Sequence, residues 1–176
     1  MDHHEKKLLF QEVQTFRNLW IILLVGVLTL TAWYAFIQQH LLGKSFGSNP
    51  APDWLLLIIF ILFGIILPVL LISAKLRTEV REDGLYVQFF PFHLRFHKII
   101  LDQVKSAETR VYKPIREYGG WGIRYGKRGK AYNVSGNVGL QLEFNNSIGL
   151  LIGSQRADEL LEALKPFLNK SNDESL

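Results

Sequence analysis

The apolar period of the chain changes twice. From Asn18 to Gly43 no Asp, Glu, Lys or Arg occurs, and the run LWIILLVGVLTLTAWYAFI approaches the ~20 residues an α-helix needs to cross ~30 Å of hydrocarbon. A second uncharged run, WLLLIIFILFGIILPVLLISA, extends from Trp54 to Ala74. A helix buried in a water-soluble protein keeps a polar stripe every 3.6 residues, and neither run has one. Both read as transmembrane helices, about 18–38 and 54–74, forming a hairpin over 18–74. Pro68 reads as a kink near one end. Before the hairpin, Leu9, Phe10, Val13 and Phe16 recur at helical spacing beside Lys6, Lys7, Glu12 and Arg17. That spacing predicts an amphipathic interfacial lead-in over 1–17, and an extension of the first membrane helix fits equally well.

After Lys75 the period drops to 2. In GLYVQFF the residues Leu85, Val87 and Phe89 share a face, and in GLQLEF so do Leu140, Leu142 and Phe144, with Gln141 and Glu143 opposite. Further short strands are predicted at 77–81, 95–100, 106–112, 122–125, 131–134 and 149–152, separated by glycine and asparagine turns. Strands this short and closely spaced imply a small antiparallel barrel or sandwich over 75–170. A closing helix follows. Ser154 can cap it, Asp158 and Glu159 suit its first turn, and Leu160, Leu161, Leu164, Phe167 and Leu168 form one apolar face. The tail 171–176 is expected to be flexible.

Charge orients the hairpin. Lys6, Lys7 and Arg17 precede it and Lys75, Arg77 and Arg81 follow it, whereas the loop 38–53 holds only Lys44. This bias predicts a multi-pass protein with both termini cytoplasmic. A cleaved signal peptide fits the first run less well, since its apolar stretch exceeds the ~7–15 residues of a signal and no small-x-small site follows. The chain contains no cysteine, which removes disulfides, thiol catalysis and thiolate metal sites.

The stretch REYGGWGIRYGKRGKAY, Arg116 to Tyr132, invites a phosphate-loop reading. It fails the G-x-x-x-x-G-K-[ST] pattern because Arg128 follows Lys127, and it fails G-x-G-x-x-G because Tyr125 stands where the last glycine belongs. Gly119, Gly120, Trp121 and Gly122 read as turn and framework positions. The charges remain. Arg110, Lys113, Arg116, Arg124, Lys127, Arg128 and Lys130 face only Glu117 in this window, for a local charge of +6 in a chain of net charge +4. On the acidic side of a membrane each such cation contributes ~1 kcal/mol, so these seven residues are the candidate lipid- or phosphate-binding set. His93 and His97 are four apart. Four strand residues span ~13 Å, too far for one ion, and the pair reads as two ordinary histidines of a hairpin turn. No HExxH motif, paired-carboxylate site or Ser/His/Asp set is recognisable.

The phrases TEVREDGLYVQFFPFH, REYGGWGIR, GKAYNVSG and LLIGSQRADEL, with the lead-in FQEVQTFR, resemble an uncharacterised family of bacterial membrane proteins. Its members carry two N-terminal transmembrane helices and a pleckstrin-homology-like (PH-like) domain. The resemblance covers nearly the whole chain and implies an α+β fold: a membrane hairpin, then a small antiparallel PH-like β-barrel or sandwich with a C-terminal capping helix. It also implies the bacterial inner membrane as location. It assigns no ligand, cofactor or reaction. The expectation is a non-enzymatic, membrane-anchored binding or scaffold protein without cofactors. Its partners would be the bilayer, acidic phospholipid headgroups, and a protein partner or second copy. The alternatives are a tethered nucleic-acid-binding module using residues 110–130 and, behind it, a membrane enzyme.

Overall fold

The structure, a computed structural model, describes residues 7–101, 103–145 and 147–173. It divides into two compact units, one of residues 16–73 and one built from the chain on both sides of that segment.

The first unit is a pair of helices, α1 (Leu19–Leu41) and α2 (Asp53–Ser73), each long and apolar enough to cross a membrane. Asn18 caps α1, its Oδ1 accepting the amides of Trp20 (3.1 Å) and Ile21 (3.4 Å). Pro52 precedes α2 and Asp53 opens it, the charge sign that suits a helix N-terminus. The helices meet through small residues and aromatic rings: Ala32, Ala35 and Gly64 are buried together with Val25, Leu56 and Phe60, and Phe60 stacks on Phe36 (4.2 Å between centroids), while Leu23, Leu24, Val27 and Leu30 are exposed. Pro68 has an observable consequence. It cannot donate to the carbonyl four residues earlier, and α2 runs as a π-helix from Phe60 to Ile66. The Gly64 carbonyl is taken instead by Trp33 Nε1 of α1 (3.1 Å), and the neighbouring Phe63 carbonyl by Thr29 Oγ1 (3.0 Å). Side chains of one helix thus satisfy backbone groups that a proline frees in the other.

The second unit holds two sheets. β1 (Leu8–Thr15), β2 (Lys75–Arg81), β3 (Gly84–Phe90) and β4 (His97–Ile99) form an antiparallel sheet in that order. The other sheet has the order β5 (Val104–Val111), β8 (Val138–Phe144), β9 (Leu150–Gly153), β7 (Gly129–Asn133) and β6 (Gly122–Gly126). Its pairings are antiparallel except β7 with β9, which is parallel. A short helix α3 (Pro114–Tyr118) links β5 to β6, and α4 (Ala157–Asp173) ends the described chain. Of the expected strand faces, Leu85, Val87, Phe89, Leu140 and Leu142 are buried and Phe144 is half-buried, but the strands are not open on the other side as read, since Gln88 and Gln141 are buried there too. Helix α4 buries Ala157, Leu160 and Leu164 and packs on β5 and β8 as well as β1, β2 and β3, so it joins the two sheets. The architecture is α+β, two apolar helices followed by open sheets and a C-terminal helix.

The N-terminal lead-in corrects the helical expectation. Residues 8–15 form a strand that pairs with β2 along its length, from Leu8 opposite Arg81 to Thr15 opposite Lys75. The apolar spacing misled because the face that goes inside is largely polar. Phe10, Glu12 and Gln14 are buried, whereas Leu9 and Val13 are exposed. The buried polar groups have dedicated partners. The Glu12 carboxylate accepts from Ser154 Oγ (2.6 Å) and from the Gln155 amide (2.9 Å), and Gln14 Nε2 donates to the Gly153 carbonyl (2.7 Å). Ser154 Oγ in turn accepts the Arg156 amide at 3.0 Å, a local turn ahead of the helix, which starts at Ala157 and not at Gln155, the start that a cap at Ser154 implies. The β unit is therefore discontinuous in sequence, and α1 and α2 are an insertion between two paired strands.

Candidate functional site

Basic side chains gather where α3 crosses the outer face of the second sheet. Pro114 opens this helix and Gly119 closes it in the left-handed conformation, its amide donating to the Ile115 carbonyl at 2.9 Å. The Glu117 side chain reaches back to the Lys113 amide (2.7 Å). The helix lies close to β6, and Gly126 permits this: a Cβ there would come within 2.2 Å of the Glu117 carbonyl. Gly129, with φ of 107°, lets the β6–β7 turn pass the Gly149 backbone. Beneath α3, Tyr118 packs with Tyr112, Ala131 and Leu151 in a small core separate from the one under α4.

Of the seven candidate cations, Arg110 is consumed by the fold. Its guanidinium bonds Glu117 Oε2 (2.8 Å), the Tyr118 hydroxyl (3.2 Å) and Gln141 Oε1 (3.2 Å), which also accounts for the burial of Gln141. Burial acts to raise the Glu117 pKa, but the Lys113 amide and Arg110, with Arg128 nearby, outweigh it and hold the carboxyl below the ordinary range. Arg124 Nε turns back to the Trp121 carbonyl (3.0 Å), and Lys113 contributes its backbone. Trp121 itself donates to the Gly136 carbonyl (3.0 Å), a framework contact.

Arg116, Lys127 and Arg128 remain. Together with Arg110, Glu117 and Tyr118 they line a hollow of about 360 Å³. With the Arg110–Glu117 pair neutralised internally, three positive charges are left around it. A second hollow of about 290 Å³ shares Lys127 and Arg128 and adds Lys105, Glu143 and Ile148. Among the described residues, none of Lys105, Arg116, Lys127 and Arg128 forms an ion pair. Lys105 and Ile148 were not among the sequence candidates, since Lys105 lies just before the basic window, on the same strand as Arg110, and Ile148 lies in a loop well after it. Two apolar side chains stand exposed here, Ile115 on α3 and Ile148.

Lys130 goes elsewhere. Strand alternation puts it on the face of β7 opposite Ala131, where its ammonium lies over the rings of Tyr132 (4.6 Å) and Tyr125 (5.7 Å). That face also meets the turn after β3. There His93 and His97 correct the extended-strand argument: Pro91 and its neighbours turn the chain back, and the two rings stand 4.1 Å apart between centroids. His93 also packs against Tyr132 at 5.5 Å. Burial, then His97 and Lys130, lower its pKa from the ordinary histidine value. Among the described residues no group of three or more His, Cys, Asp or Glu side chains is placed to hold a metal ion.

A family model described as a family of unknown function, DUF6141, matches residues 1–166. No curated protein and no solved structure matches the chain.

Proposed function

The chain belongs to this family of unknown function, and we propose that it is a non-enzymatic, membrane-anchored binding module whose Arg116, Lys127 and Arg128 hold acidic phospholipid headgroups. The observation that carries the reading is this trio of cations around one hollow, without ion-pair partners among the described residues, on a unit whose strands flank two membrane-length helices. Each cation within reach of an acidic leaflet contributes ~1 kcal/mol, and exposed Ile115 and Ile148 suit an interface where one side is lipid.

In this reading α1 and α2 span the inner membrane of a bacterium as a hairpin. The pairing of Thr15 with Lys75 supports it, because paired strands must share a compartment and the segment between them then crosses an even number of times. The excess of Lys and Arg outside the hairpin favours the cytoplasmic side for both ends. A PH-like arrangement finds support in two sheets joined by a C-terminal helix. The parallel β7–β9 pair and a first strand that precedes the hairpin depart from an all-antiparallel barrel built from residues 75–170 alone.

The test is flotation of the β unit, with residues 16–74 replaced by an Asn-Gly turn, on vesicles of phosphatidylglycerol or phosphatidylcholine. Binding to the acidic vesicles alone is expected, weakening as salt shortens the Debye length from ~30 Å at 0.01 M to ~8 Å at 0.15 M. Arg116→Ala/Lys127→Ala/Arg128→Ala should leave the melting temperature unchanged and lower affinity by up to about a hundredfold, from ~3 kcal/mol. Equal binding by the triple variant would overturn the assignment. Retention of single-stranded RNA in place of lipid would favour the nucleic-acid reading.

A further inference from the structure

The first sheet has two ends, and the chain treats them differently. Thr15, Lys75 and Phe90 are register partners across β1, β2 and β3. At this end β1 runs through Phe16, Arg17 and Asn18 into α1, and β2 follows α2 after Ala74 alone. Four residue steps reach at most ~14 Å and two steps ~7 Å, so covalent connection ties this end to the start of α1 and the end of α2. At the same end β3 passes into the turn Pro91–Phe96 before β4 begins.

That turn presents apolar side chains to the outside and keeps polar groups in. Phe92 is 66% and Leu94 77% exposed, and Phe90 and Arg95 beside them are exposed too. The display is held in place by several contacts. The His93 amide donates to the Phe89 carbonyl (2.8 Å), Gln88 Nε2 donates to the Leu94 carbonyl (2.9 Å), and the inward His93 ring sits against His97 and Tyr132. An exposed Phe and Leu on a pinned turn, with an arginine next to them, match the layered chemistry of a bilayer surface: apolar side chains toward the acyl boundary, a cation at the phosphates.

We propose that the Pro91–Phe96 turn is a second membrane contact, seating Phe92 and Leu94 in the headgroup layer beside the point where the helical hairpin enters. The polar layer is ~5–7 Å thick on each side of the hydrocarbon, comparable to the reach the two connections allow. This contact rests on the reading that α1 and α2 span the membrane. It is independent of the Arg116, Lys127 and Arg128 hollow.

The natural absence of cysteine makes the test clean. The full chain carrying Leu94→Cys, Glu82→Cys or Leu24→Cys is labelled with an NBD fluorophore and reconstituted in vesicles of phosphatidylethanolamine and phosphatidylglycerol. Glu82 marks the opposite end of the sheet, about 20 Å away along β2. Leu24 is an exposed position within α1. The expected result is blue-shifted emission at Leu94, quenched by a nitroxide carried on the lipid, with water-like emission and iodide quenching at Glu82. Leu24 should be blue-shifted and closed to iodide. Water-like, iodide-quenched emission at Leu94 with Leu24 in lipid would overturn this proposal alone. Iodide quenching at Leu24 would overturn the spanning reading and this contact with it. A blue shift at Leu94 that lipid nitroxide fails to quench would mean a protein covers the turn, and would also overturn the proposal.

Discussion

The helical pair and the β unit stand in opposite relation to residue type. In the pair, leucines and valines such as Leu24, Val27 and Leu30 lie outside, while Ala32, Ala35 and Gly64 are buried beside Leu56 and the stacked rings of Phe36 and Phe60. In the β unit Glu12, Gln14, Asn133 and Gln141 are buried, and Phe92, Leu94 and Ile115 are outside. Small residues let two apolar helices approach where every neighbour is equally apolar. In the β unit Glu12, Gln14, Asn133 and Gln141 each make at least one hydrogen bond to a fixed partner, and an unmet partner is expensive. The two regions therefore call for different perturbations.

The largest effect should come from separating β1 from the rest. A chain beginning at Lys75 lacks Phe10, Glu12 and Gln14, leaves β2 as an open edge and strands the Ser154 and Gln155 donors. It should lose its cooperative melt. A chain in which an Asn-Gly turn joins Thr15 to Lys75 restores the directly opposed pair that such a turn connects, and should melt cooperatively. Calorimetry of the two fragments decides this. Equal melts would show β1 to be dispensable.

Next in size is Glu12→Ala. It removes one carboxylate that serves two buried donors, and the expected cost is about 1.5–3 kcal/mol by denaturant titration of the joined β unit. Glu12→Gln keeps one acceptor oxygen and should cost less. The corresponding change in the helical pair, Trp33→Phe, frees the Gly64 carbonyl beside Pro68. Hydrogen bonds between membrane helices average about 0.6 kcal/mol, so titration of the full chain in detergent should show a smaller loss than Glu12→Ala. A larger loss would mean that the Pro68 carbonyls, rather than small-residue packing, hold the helices together.

The same contrast explains what sequence reading reached. The helices were legible as helices because each run is long, uncharged and apolar on every side, and β3 and β8 because alternation of Leu85, Val87 and Phe89, or of Leu140 and Leu142, leaves one buried face. β1 was hidden because its inward face is Glu12 and Gln14, whose partners at Gly153, Ser154 and Gln155 lie some 140 positions along the chain. The site was reached in part. Local charge density pointed to Arg116, Lys127 and Arg128, but only tertiary structure neutralises Arg110 with Glu117 and turns Lys130 onto Tyr132. The alternation rule was available for Lys130, since it shares a face with Tyr132. For His93 and His97 the clue was Pro91, which marks a turn to which straight-strand distances do not apply.

The central claim is that one β unit is assembled across the apolar hairpin, so that both ends of the hairpin are held side by side. Val13 and Arg77 are direct register partners on the exposed face of β1 and β2, and opposed strand residues lie ~4.5–5.5 Å apart at Cα, within disulfide range. The most direct measurement is oxidation of Val13→Cys/Arg77→Cys in the full chain in cells that express it, with Val13→Cys/Glu82→Cys as the off-register control. The account predicts a rapid intramolecular disulfide in the first pair and none in the second. Failure of the first pair to close, or closure of both alike, would contradict it.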